Sequence, residues 1–272
     1  MKGSSDISQS TKSPPKGPPA LKYFSNLLPF AAGLLILLLS SKFVAAAGLN
    51  ALAQLTLFVT VVCVPLYRTG SMSYVDIGWP VGIVLIALSS VTTLEGYWPR
   101  ALVCGVVYTM IGARMANMAI GHLLRGELKE ELPRYAYQRR RWEKSGKSNT
   151  MLAAQTEVLA QGAFNASFLA MPAFIIASTP SHNVSLLEWI GLGIWVLSFV
   201  FEELSDRQKR EWIKRQKELG IRDGVCDQGL WAYSRHPNYF GQWMGWNGII
   251  IAAIPSWLAL YEVEHFLFWI GL

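Results

Sequence analysis

Two stretches of this chain carry residue types that could do chemistry. The first, WVLSFVFEELSDRQKREWIKRQK, begins as an apolar helix and turns strongly charged with no Gly or Pro to break it. Within it Glu202, Asp206 and Arg210 recur at every fourth position and so stack on one helix face. On a helix leaving the membrane, that spacing makes a solvated ladder of ion pairs. At membrane depth, directly after Phe201, it makes the wall of a polar cavity, because ionisable groups there turn away from lipid. The second stretch, GLWAYSRHPNYFGQWMGW, sets a cation, a titratable ring, a rigid turn, an amide and a phenol side by side as Arg235, His236, Pro237, Asn238 and Tyr239. Pro237 interrupts helix just ahead of the next apolar run, with Asn238 near its N-cap. A helix N-terminus beside Arg235 suits an anionic phosphate, through free backbone N–H groups and the helix dipole. The same residues also suit an anchor among lipid headgroups, and His236 alone can be a structural hydrogen-bonding group.

Fainter signals lie upstream. SYVDIGWP places Asp76 and Trp79 at the start of an apolar run, where Asp76 serves as N-cap or as site residue. Arg114 and Asn117 close another run, Arg134 and Tyr135 sit in a basic loop, and Glu127, Glu130 and Glu131 read as a solvated face. His122, His182, His236 and His265 are scattered, and Cys63, Cys104 and Cys226 show no CxxC spacing. Neither a metal site nor a disulfide framework is expected from them.

The elements that must position these residues are membrane helices. The chain is 52% hydrophobic and only 15% charged, against roughly 25% charged in soluble domains. Its apolar runs are continuous rather than alternating, which indicates helices and not a barrel. With about 20 residues needed per span, candidate spans fall near 24–47, 50–67, 77–94, 98–118, 158–178, 186–204, 239–255 and 256–272. Pro255 marks either a turn or a kink between the last two. The predicted fold is therefore all-α, a polytopic bundle of about 7–8 spans over residues 23–272. Residues 1–22, rich in Ser, Pro, Gly and Lys, are expected to be a disordered tail.

The net charge of +6 follows the membrane pattern and not nucleic acid, since no nucleic-acid motif accompanies it. The Lys-bearing tail, Arg68, the basic loop 125–147 and the basic stretch 207–222 are each separated by two predicted spans. All four then share one side, which the positive-inside rule makes cytoplasmic, N-terminus included. The opposite loops are short, and Asn183-Val184-Ser185 is a glycosylation sequon in one of them. Asn165-Ala166-Ser167 fits the same pattern but lies in an apolar run and is discounted.

The segment GLWAYSRHPNYFGQ, residues 229–242, closely resembles the signature of the DUF1295 family, which is related to the steroid 5-alpha-reductase C-terminal domain. FEELSDRQK at 201–209, DIGWP at 76–80 and Arg134-Tyr135 are similar to family segments as well, so the resemblance covers about residues 74–250. It implies a helical membrane bundle that buries NADPH in a cavity open to the cytoplasmic side. By motif position it assigns Glu202, Asp206, Arg210, Arg235, Asn238 and Tyr239 to the cofactor site, with Tyr233 and His236 nearby. Gln242 stands where relatives usually carry Glu; a carboxamide still hydrogen-bonds, without the charge. The family typically continues to a polar tail beyond the apolar run that here reaches Leu272.

The expected reaction is reduction of an activated carbon–carbon double bond in a lipid or steroid-like substrate. Tyr135 and Tyr74 are the candidate proton donors, because they lie near the site segments. An S-adenosylmethionine-dependent membrane methyltransferase is the first alternative. It shares an Arg-His-Pro-x-Tyr turn but expects paired glutamates after it, where Glu262 and Glu264 are one residue apart. A non-catalytic scaffold or lipid-binding protein of the same fold is the second. Membrane lipids and a hydrophobic small molecule are the expected partners, and the endoplasmic reticulum is the default location for such spans.

Overall fold

The computed structural model describes residues 21–262 except Glu130 and residues 222–223. The expectations for residues 1–20 and for a span reaching 272 therefore lie largely outside the described residues. In chain order the helices are α1 (Leu21–Phe24), α2 (Leu28–Leu39), α3 (Val44–Leu57), a π-helical segment (Phe58–Cys63), α4 (Val64–Thr69), α5 (Val75–Thr93) and α6 (Trp98–Leu124). They continue as α7 (Pro133–Lys144), α8 (Thr150–Ala166), α9 (Ala170–Ala177), α10 (Leu186–Glu218) and α11 (Pro237–Ala259). No strand occurs among the described residues. Among the described residues, four helical stretches are long and apolar enough to cross a membrane: Val44–Thr69, Met72–Thr93, Trp98–Leu124 and Thr150–Ala177. The architecture is that of a polytopic helical bundle.

Element boundaries differ from the sequence expectations at three places. The run 24–47 is not one span: helix stops at Ser40, whose carbonyl accepts the Phe43 and Val44 N–H groups at 3.2 and 2.9 Å. Ser40, Ser41 and Lys42 make a polar turn inside the run, which leaves α2 only about 18 Å long against a hydrocarbon core of about 30 Å. The next helix then starts at Val44 rather than near residue 50. The run 158–178 begins earlier, at Thr150, and steps sideways at Ser167 between α8 and α9. Pro255 marks no turn, since α11 runs through it to Ala259. Neighbouring helices support a backbone whose proline cannot donate.

α10 is continuous across the junction from lipid-type to charged sequence, as the missing Gly and Pro imply. It pairs with α11 through a glycine crossing. A Cβ on Gly191 would lie 2.4 Å from the Gly248 carbonyl oxygen, and one on Gly248 would lie 2.7 Å from that of Gly191. No side chain fits between these backbones, so α10 and α11 lie in direct contact there.

A buried amide network joins α3, α5 and α8. Gln54 donates to Asn50 Oδ1 at 3.1 Å and to the Gly82 carbonyl at 2.8 Å, and Asn165 donates to the Trp79 carbonyl at 3.0 Å. Asn165 is fully buried, in keeping with its rejection as a sequon. At the basic end, the Asn149 N–H donates to the Tyr23 hydroxyl and Arg139 donates to the Gly70 carbonyl. The N-terminal helix, the end of α4 and the basic loop thus sit at one end of the bundle.

At the opposite end, Arg100 on α6 is buried. It donates to Glu188 at 2.5 Å, to the Asn183 carbonyl at 2.7 Å, and to the carbonyls of Ser181 and Thr179. Glu188 also closes a capping box with Ser185 at the start of α10. One guanidinium therefore fixes the loop between α9 and α10. Arg100→Met leaves a buried, unpaired carboxylate and should destabilise the protein by about 3–5 kcal/mol in denaturant unfolding, whereas the apolar double variant Arg100→Met/Glu188→Met should lose less than the single one.

Candidate functional site

At the basic end α5, α6, α10 and α11 part around a cavity of about 710 Å³, within the range of roughly 300–1,000 Å³ usual for ligand sites. Its wall is two-faced. Trp79, Pro80, Met115, Met118, Leu128 and Leu132 are apolar, while Asp76, Arg114, Arg134, Tyr135, Glu202, Asp206, Asn238 and Gln242 bring charge and hydrogen-bonding capacity.

One polar cluster centres on Arg114. A lone guanidinium deep in a helix bundle must be neutralised, and three carboxylates on α10 do this. Arg114 donates to Glu202, to Asp206 at 3.0 Å and to Glu203 at 3.3 Å. Asp206 turns its other oxygen to α11, accepting from Asn238 Nδ2 at 3.0 Å. Asn238 Oδ1 accepts the Tyr239 N–H at 3.0 Å, in the first turn of α11. Glu202 and Asp206 therefore do not form a solvated intrahelical ladder, because both face Arg114. Arg210 points elsewhere, pairing with Glu203 at 2.7 Å on the exposed side.

The turn before α11 is fixed against α10. Gly229 has φ +57°, a left-handed conformation that favours glycine, and it lies against the end of the Gln208 side chain. Gln208 accepts the Leu230 N–H at 2.9 Å, and Trp231 Nε1 donates to the Ser205 carbonyl at 2.8 Å. Pro237 occupies the first position of α11 and His236 its N-cap, where the sequence suggested Asn238.

A second cluster lies on the wall built by α5 and α7. Asp76 is not the N-cap of α5 but falls in its first turn. Its carboxylate accepts from the Tyr135 hydroxyl at 2.7 Å and from Arg134, whose guanidinium also donates to that hydroxyl at 3.2 Å. Burial, and then the charge of Asp76, push the Tyr135 phenol well above the ordinary tyrosine value. Nearer the mouth, Arg125 and then His122 hold the Glu127 carboxyl down to about 2. Glu131, expected on a solvated face, instead pairs with Arg139 at 2.6 Å and accepts the Met72 N–H at 3.2 Å. Glu130 lies outside the described residues.

Of the residues the sequence suggested, Tyr135, Glu202, Asp206, Asn238 and Tyr239 line the cavity. Tyr74 does not: it packs against the buried cluster of Ile77, Ala119 and Leu128. Arg210, Tyr233, Arg235 and His236 are exposed outside the lining, Tyr233 to 91%. His236 stacks on Tyr239 with ring centroids 5.2 Å apart, so it touches the mouth through that ring. Arg114 is the functional residue that sequence reasoning undervalued; its signal is an arginine next to Met and Ala at the end of an apolar run. Among the described residues no group of His, Cys, Asp or Glu is arranged to hold a metal ion.

Fold and cavity together define a helical membrane protein with a polar site sunk into one end of its bundle. The chain belongs to the family described as protein of unknown function (DUF1295), which it matches over residues 49–268. No curated protein and no solved structure matches it.

The charge cluster and the buried phenol each give a measurable expectation. Arg114→Met strands Glu202 and Asp206 together and should cost roughly 3 kcal/mol, the low end for a buried pair because the cluster keeps some solvent contact. Glu203→Gln, half exposed, should cost under about 1 kcal/mol in the same unfolding assay. In an alkaline absorbance titration, Tyr135→Phe should remove a component that ionises above the ordinary tyrosine range. The sign follows from linkage: a folded-state value above the unfolded one gives stability that is present below about pH 10 and lost as pH rises further, towards the folded value.

Proposed function

We propose that the protein is a membrane-embedded reductase that uses NADPH to saturate a carbon–carbon double bond in a lipid or steroid-like substrate. The observation that carries this reading is the two-faced cavity. It sets a buried, protonated tyrosine on one wall and a hydrogen-bonding charge cluster on the other, with apolar surface between them.

The residues present fit such a cofactor. Asn238, Gln242 and the carboxylates Glu202 and Asp206 can bond to ribose hydroxyls and a carboxamide, and Arg114 is already committed to those carboxylates. Phosphate groups would meet positive potential at the mouth, from Arg134, the exposed Arg235 and the N-terminus of α11. When bound, NADPH supplies the hydride. Trp79, Met115 and Met118 offer apolar surface for an alkene and keep water from it.

Tyr135 is the proton source in this scheme. Its raised ionisation keeps the phenol protonated at neutral pH, and Asp76 holds it in one orientation. For the transfer the O–H turns from Asp76 to the substrate carbon next to the activating group, its proton leaves the Tyr135 oxygen, and Arg134 stabilises the phenolate left behind. Tyr74, packed away from the cavity, takes no part. Under this reading the basic end faces the cytoplasm, the side on which NADPH is met.

Thermal shift of the detergent-purified protein with NADPH, NADH and S-adenosylmethionine tests the proposal. NADPH at about 100 times its dissociation constant should stabilise the protein by about 2.7 kcal/mol. Asp206→Ala/Asn238→Ala should lose that shift, and Tyr135→Phe should keep it while losing turnover. Stabilisation by S-adenosylmethionine would make the protein a methyltransferase, and no response to any of the three would favour a scaffold.

A further inference from the structure

A second cavity, of about 280 Å³, opens at the other end of the same three helices, α6, α10 and α11. The α6 residues on its wall run from Pro99 to Tyr108, which is about 13 Å of helix. Val103, Cys104, Val107, Leu192, Trp195 and Ile249 make its sides apolar. Its polar end is the Arg100–Glu188 pair. Both guanidinium nitrogens that could reach a ligand already donate to loop carbonyls or to Glu188, and Glu188 is committed to Arg100 and to the Ser185 N–H. No uncompensated charge is left to hold an ionic ligand, and an ion brought here would lose its hydration without gaining a partner.

The opening faces the outside of the bundle. Val103, 47% exposed, and Trp189, 61% exposed, flank it on helix surfaces that in a membrane meet hydrocarbon. Towards the polar cavity the seam narrows to a void of about 20 Å³, walled by Trp195, Phe199 and Trp246 and, from the polar side, by Glu202 and Gln242. That is too little space for a hydrocarbon chain, and the Tyr108 and Trp246 rings lie edge-to-face at 5.8 Å beside it. A ligand therefore reaches the apolar cavity from the bilayer and not through the polar site. At about 280 Å³, under half the volume of the polar cavity, it has room for one chain and not for a two-tailed lipid.

We propose that this cavity is a binding site for the hydrocarbon chain of a single-chain, neutral-headed lipid drawn from the adjoining leaflet. It is separate from the polar cavity, and the proposal does not depend on the reductase reading. Burying apolar surface on both partners is not by itself a driving force inside a bilayer. Close packing against Trp195 and Leu192 and a neutral polar rim supply the preference over bulk lipid.

The test is photolabelling of the full-length protein in nanodiscs of zwitterionic phospholipid containing a trace of a long-chain alcohol with a terminal diazirine. Peptide mass spectrometry should find labels concentrated in residues 99–108 and 188–195, and excess unlabelled alcohol should displace them. Val103→Trp and Leu192→Trp fill the cavity from two different walls, and each should reduce this labelling several-fold. Glu202→Gln, in the polar cavity, should leave it unchanged. The anionic fatty-acid probe of equal chain length should label these peptides less than the alcohol. Displacement by unlabelled alcohol needs no variant, so the test stands even if a filled cavity impairs folding. Labels spread evenly over the outward-facing helices, or labelling that excess alcohol does not displace, would overturn the proposal, as would equal labelling by the acid probe.

Discussion

A guanidinium placed between membrane helices must find compensating charge, and much of the basic end of this protein is arranged around that requirement. Arg114 rises from α6 and takes its counter-charges from Glu202, Glu203 and Asp206, all on α10. Asp206 in turn holds Asn238 at the start of α11. One cation thus orders three helices, and it does so without closing the space above them. The carboxylates are drawn to the cavity side of α10, which leaves the outer side to Arg210 and the solvent. A polar surface inside a hydrophobic bundle is the outcome, and any function of the cavity builds on it.

The opposite end solves the same problem differently. There a single arginine, Arg100, is buried with its counter-ion and with loop carbonyls, so that no polar group remains for a ligand. Between the ends the α10–α11 contact is held by the Gly191–Gly248 crossing, and the aromatic rings of Tyr108, Trp195 and Trp246 narrow the seam. The same three helices therefore enclose two compartments of opposite character. One has hydrogen-bonding capacity; the other is apolar along its sides. A buried ion pair adds little net stability to a fold, but the loss of one partner strands a charge, so replacing either arginine alone is costly.

How much of this could be read from the residues depends on whether the relevant interaction is local. The continuous α10 followed from the missing Gly and Pro, and the shared face of Glu202 and Asp206 followed from helical periodicity. What that face meets did not, because Arg114 is 88 residues away from Glu202 and only tertiary packing brings them together. Asp76 and Tyr135, 59 residues apart, were visible as separate hints and not as a pair. The Arg-His-Pro-Asn-Tyr motif was legible as a turn entering a helix. Its direction was not: Asn238 and Tyr239 face the cavity while Tyr233, Arg235 and His236 lie outside the lining. Helix ends were least legible where polar residues sit within apolar runs. Ser40 and Lys42 break a stretch that read as one apolar span, whereas α11 runs unbroken through Pro255.

The proposed reduction requires a dinucleotide seated in the cavity between Asp76 and Asn238. A cryo-electron-microscopy map of the detergent-purified protein, taken with saturating NADPH, examines it most directly. The account predicts new density extending from the Glu202–Asp206–Asn238 wall towards Tyr135 and Arg134, absent from a map recorded without the nucleotide. A cavity equally empty in both maps, or nucleotide density bound elsewhere on the protein, would contradict it.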